Sequence, residues 1–93
     1  MILDLSLANA ELWKDLKTQS LAGKLTLVAP PEEAIPVLAA RVAALAVDPD
    51  EVELTGGMAI WAYLVAFHAL HGRTRRIYYR DGLGQRLLVA AHG

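Results

Sequence analysis

The chain contains no cysteine. That excludes a disulfide framework, a thiolate nucleophile and any zinc site built on sulfur. Charged residues make up only 20% of the chain and aromatic residues 6%. The formal net charge is −1, so the chain as a whole lacks the basic field of a general nucleic-acid binder. No apolar run is long enough to cross a bilayer. The longest, Met58 to Phe67, is roughly half of the ~20 residues required. The N-terminal stretch MILDLSLANAELW has no basic segment of the kind that opens a signal peptide. The expected location is the cytoplasm, with no membrane partner.

What is abundant is apolar. Hydrophobic residues are 55% of the 93. A chain of this length forms one domain, residues 1–93, and hides that much apolar surface poorly by itself. A homo-oligomer, dimer or tetramer, is therefore expected. Charge is also segregated. Residues 1–71 hold Lys14, Lys17, Lys24 and Arg41 against nine carboxylates. Residues 72–93 hold Arg73, Arg75, Arg76, Arg80 and Arg86 against Asp81 alone. Arginine suits bidentate phosphate binding better than lysine does. The competing reading is an arginine face that keeps an edge strand soluble.

Local patterns predict a small α/β fold of about five strands and three helices, ending in a hairpin. Residues 2–7 alternate apolar and polar, as a half-buried strand does. Asn9 is placed to cap a helix over Ala10–Thr18, ended by Ala22-Gly23. A strand is expected over Lys24–Ala29, ended by Pro30-Pro31, and then a helix with Glu32 and Glu33 in its first turn, running to about Val47. Asp48-Pro49-Asp50 is a turn. The organising stretch follows, EVELTGGMAIWAYLVAFHALH from Glu51 to His71. It reads as a strand, a glycine break and an uncharged core helix. Arg75–Tyr79 and Gln85–Ala91 form the closing hairpin around Asp81-Gly82-Leu83-Gly84. Alternation of this kind argues for a sheet covered by helices. In such sheets, ligands gather beyond the C-terminal strand ends. Thr55, Gly56 and Gly57 fall at one such end and Asp81 at another.

Four side chains are candidates for chemistry: His68, His71, Asp81 and His92. His68 and His71 are three apart and share a helix face. Two imidazoles and a carboxylate suit Mn²⁺, Fe²⁺ or Zn²⁺, with His71 and Asp81 as the metal ligands. The same groups can serve as general acid and base without a metal. Each also has a structural reading. A histidine in an apolar helix is commonly a hydrogen-bonded core residue, and Asp before Gly is a common turn residue.

The order Leu54-Thr55-Gly56-Gly57-Met58-Ala59-Ile60-Trp61, a helix ending in histidine, Tyr79-Arg80-Asp81-Gly82-Leu83-Gly84, and an apolar strand closing on His92 resembles one known family. These are the small stand-alone CRISPR-associated ring nucleases of type III systems, a manganese-linked family also described as an RNA deadenylase. The resemblance covers roughly residues 52–92. Ala59 stands where the family has proline, and Gly82-Leu83 stand where it has Pro-Arg.

The resemblance implies cleavage of a cyclic oligoadenylate, foremost cyclic tetraadenylate, to switch off type III CRISPR signalling. Single-stranded RNA is a second ligand it implies, and Mn²⁺ a cofactor. His68, His71, Asp81 and His92 would then be catalytic. Thr55, Gly56 and Gly57 would cradle phosphate, with Arg75, Arg76, Arg80 and Arg86 as its cationic partners. Such a ring is a symmetric polyanion, which an oligomer can bind across a symmetry axis. Two other classes remain open: a non-catalytic binder of the same ligands, and a plain oligomerisation module.

Overall fold

The computed structural model describes residues 1–47 and 49–91. Asp48, and with it part of the expected turn at residues 48–50, lies outside the described residues, as does His92. The fold is a small α/β domain of six strands in two sheets with three helices. The strands are β1 (Ile2–Asp4), β2 (Thr18–Leu21), β3 (Lys24–Leu27), β4 (Glu51–Thr55), β5 (Arg76–Arg80) and β6 (Arg86–Ala91). The helices are α1 (Ala10–Trp13), α2 (Pro31–Leu45) and α3 (Ile60–Leu70).

The main sheet has the order β1-β4-β5-β6. β1, β4 and β5 are mutually parallel, and β6 returns antiparallel to β5. Each parallel pair needs a crossover, and crossovers of one hand carry their helices to the same face. α2 and α3 accordingly pack against each other. The face beneath them is set by alternation along each strand. Leu3 and Leu5, Val52 and Leu54, and Ile77 are buried there with Leu38 and Val42 of α2 and Ala62, Ala66 and Leu70 of α3. Small residues at positions 62 and 66 let α3 sit close to the core. Burial of this whole side-chain set is the main driving term for folding.

The N-terminal third differs from its sequence expectation. Helix α1 is one turn rather than Ala10–Thr18. The Lys14 N–H bonds back to the Ala10 carbonyl, and Asp15 then adopts a left-handed φ of 66°. Arg41 of α2 donates to the Leu12 and Lys14 carbonyls, supplying partners that a longer helix would have supplied itself. Trp13, buried, donates its indole N–H to the Leu5 carbonyl and meets Trp61 edge to face. Residues 18–21 become a strand, because Ala22 (φ 52°) and Gly23 (φ 77°) form a two-residue turn with both central φ values positive. β3 therefore pairs with β2 in a separate hairpin and does not enter the main sheet.

Helix α3 also departs from expectation. It buries Ala62, Ala66 and Leu70, but Ile60 and Leu64 point outward at 78% and 65% exposure. It is a core helix on one side and an apolar surface on the other.

Candidate functional site

Because β1, β4 and β5 run in parallel, their C-terminal ends meet at one end of the sheet. Asp4, Thr55 and Arg80 mark that end. The register places Asp4 beside Thr55 and Leu54 beside Tyr79. A cleft of 340 Å³ lies there, lined by Thr55, Gly56, Gly57, Tyr79 and the Arg80-Asp81-Gly82 segment. Of the expected site residues, the fold places Thr55, Gly56, Gly57, Arg80 and Asp81 around this cleft.

Gly56 makes the turn possible. Its φ is +100°, and a Cβ built on it would stand 2.2 Å from Asp4 Oδ1 and 2.9 Å from the Ser6 amide nitrogen. Asp4 Oδ1 accepts the Ser6 N–H, which holds the carboxylate against the glycine. Tyr63 donates its hydroxyl to the Gly56 carbonyl and packs edge to face on Tyr79. Burial pushes the Tyr63 hydroxyl above the usual tyrosine range, so it stays a donor. Gly57, by contrast, faces open space. Helix α3 begins three residues later. Ala59 at its N-cap offers no side-chain acceptor, and no acidic residue occupies the first turn. Its first N–H groups lack the side-chain partners that commonly satisfy them.

The two histidines lie at the other end. α3 runs back along the sheet for 11 residues, ~16 Å, before reaching His71. His68 is exposed in the last turn, and His71 caps the helix with its ring 5.4 Å from that of Phe67. Asp81 follows β5 at the opposite end. There it shapes the hairpin turn: Oδ1 accepts the Leu83 N–H at 2.9 Å and the Gln85 N–H at 2.8 Å. One subunit therefore does not bring His68 or His71 to Asp81. Among the described residues, no three His, Asp or Glu side chains group closely enough to hold a metal ion. A manganese site on His71 and Asp81 does not fit a single chain.

Tertiary pairing also changes the arginine segment. Glu51 and Glu53 stand on the sheet face away from the helices, next to β5. Arg80 grips Glu53 through Nε at 2.9 Å and Nη2 at 3.1 Å, and Arg86 Nε adds a third bond at 3.0 Å. Arg76 pairs with Glu51 at 3.1 Å. Arg75 approaches Asp50 only at 3.8 Å, with both side chains largely exposed. Arg80 and Arg86 are direct cross-strand neighbours, a repulsive arrangement that Glu53 between them offsets. Arg86 also lies 3.5 Å over the Tyr78 ring. Sequence reasoning missed Glu51 and Glu53. The signal was present in their i, i+2 spacing, which puts both on one strand face.

The Arg80 hydrogen bond, helped by Arg86, holds the Glu53 carboxyl below the usual carboxylate range, against the opposing effect of burial. A carboxyl with a depressed folded-state pKa stabilises the fold above its unfolded value of ~4.3. That stability is lost as pH falls through the lower folded value. Between pH 7 and 3, the wild-type Tm is therefore expected to fall more steeply than that of Glu53→Gln. Parallel profiles would show that Glu53 contributes no acid sensitivity.

No protein-family model, curated protein or solved structure matches this chain.

Proposed function

We propose that this protein is a ring nuclease that binds and cleaves a cyclic oligoadenylate at a site shared between subunits. One observation carries the reading. The Thr55-Gly56-Gly57 turn and the Tyr79-Arg80-Asp81-Gly82 segment, which form the sequence resemblance, line the same cleft at the C-terminal end of the sheet. Phosphate is held by backbone amides at Gly57 and the start of α3, where no side chain caps the helix. Asp81 stands at this end. His68, His71, Arg75 and Arg76 stand at the other. A site containing all of them takes the glycine end of one subunit and the histidine end of a neighbour.

In that site, a neutral imidazole takes the proton of the attacking ribose 2′-hydroxyl as its oxygen bonds to phosphorus. A protonated imidazole gives a proton to the leaving 5′-oxygen as its bond to phosphorus breaks. The ring opens to a linear oligonucleotide.

A second reading has its own support. Within one chain, His68 and His71 lie at the end of α3 away from the Thr55-Gly56-Gly57 cleft, which favours binding without turnover. Incubating the purified protein with cyclic tetraadenylate, with and without Mn²⁺, and separating the products by chromatography decides between them. Linear products are expected. Retention of intact ring identifies a binder, and the absence of both products and retention returns the chain to the oligomerisation class.

A further inference from the structure

We infer that β6 and the apolar groove beside it seat a second copy of this chain, with β6 pairing antiparallel to β6 of the partner subunit. β6 is one edge of the main sheet and, among the described residues, pairs only with β5. Its outer row of N–H and C=O groups is a template for another strand. Natural edges are commonly blunted by shortness, proline or lysine. The opposite edge, β1, has only three residues. β6 has six, RLLVAA, with no proline and no lysine.

Apolar side chains occupy both faces of this edge. Leu87, Leu88 and Val89 are 46%, 55% and 55% exposed. A register shift opposite Ile77 and Tyr78 leaves Val89 as the unpaired residue of a bulge. Val89 borders a groove of 510 Å³ whose floor and walls include Leu54, Met58, Tyr63, Phe67 and Tyr79. The exposed Ile60 and Leu64 of α3 form its far rim. An open edge and an unfilled apolar groove thus form one continuous surface. The chain exposes 5665 Å², against about 5,300 Å² for a compact monomer of this mass.

The occupant follows from the strand itself. Antiparallel self-pairing centred between Leu88 and Val89 sets Arg86 opposite Ala91 of the partner subunit. Leu87 then meets Ala90, both on the helix side of the sheet, and the two bulges at Val89 face each other at the axis. The single charge of the strand never faces its own copy, and Glu53 already compensates it. The edge is therefore self-complementary, as an isologous interface requires. A two-fold axis perpendicular to the sheet keeps both α3 helices on one side. Three strand spacings, ~14 Å, separate β5 from its copy, and the two grooves merge across that span. Leu87 and Val89 of both copies stand in the merged groove. Both ends of each sheet stay open, so this contact is separate from the shared nuclease site and does not depend on it.

Light scattering at micromolar concentration is expected to give an even multiple of the 10.1 kDa chain mass, twice it where the shared-site contact forms only with the ring bound. Leu88→Lys, on an exposed position, should weaken the dimer at least tenfold while circular dichroism stays unchanged. The chain has no cysteine, so a Leu87→Cys, Ala90→Cys variant, two positions on the same sheet face, tests placement cleanly. It should form an intermolecular disulfide under mild oxidation, and it retains apolar side chains if the lysine variant fails to fold. A monomeric wild-type protein overturns the inference. So does a dimer that neither responds to Leu88→Lys nor cross-links through the cysteine pair, or a β6 occupied by a different polypeptide.

Discussion

Gly56→Ala is expected to destabilise the fold by about 3–5 kcal/mol, from left-handed strain and steric overlap together. The φ of +100° is one that L side chains rarely adopt, and the added methyl would lie 2.2 Å from Asp4 Oδ1 and 2.9 Å from the Ser6 nitrogen. The Ser6 contact is the more consequential, since it is backbone. Ser6 follows β1, which the Leu5-to-Thr55 hydrogen bond ties to the end of β4. Relieving the overlap means parting β1 from β4. For a domain this small, the loss corresponds to a fall in Tm of at least about 12 °C. Gly57→Ala is the control: no neighbouring atom lies near its Cβ position, so a change within about 0.5 kcal/mol is expected. Adding Asp4→Ala to Gly56→Ala should recover part of the loss, because the two positions share one contact. A Gly56→Ala protein that melts within a few degrees of wild type would show that this approach is not required.

Activity is the second large effect. His71→Ala and Asp81→Asn should each lower the rate of cyclic tetraadenylate cleavage at least tenfold, about 1.4 kcal/mol of barrier. Asparagine is the correct probe at position 81. It keeps the Oδ1 acceptor for the Leu83 and Gln85 amides and removes only the charge. Mixing the two inactive proteins should restore activity. A site built from the glycine end of one subunit and the histidine end of another is intact in about a quarter of random pairings. Mixtures with verified subunit exchange should therefore approach about one quarter of the wild-type rate. No recovery on mixing sinks the shared site. Full activity in both single variants returns His71 and Asp81 to structural roles, a helix cap and a turn.

Much of the main sheet was legible locally. Alternation in residues 2–7 and 51–55, and the turn at residues 81–84, identify strands from patterns only a few residues long. The uncharged run after Gly57 identifies α3 in the same way, and parallel β1, β4 and β5 then bring Thr55 and Asp81 to one end of the sheet. The N-terminal hairpin was not legible, because Ala22 lacks the Asn or Asp that usually announces a turn of that type. The pairing of Thr18–Leu21 with Lys24–Leu27 overrode a helical reading of residues 14–18.

The sequence alone determined element type wherever one face of a segment was repeatedly apolar, since that periodicity is a local property of the chain. Only the tertiary structure decided which charges neutralise one another and which reactive groups share an end. Glu51 and Glu53 lie more than twenty residues before the arginines they hold, and strand register alone aligns them. His71 and Asp81 are ten residues apart in sequence, yet β5 lies between them, ~17 Å of extended chain.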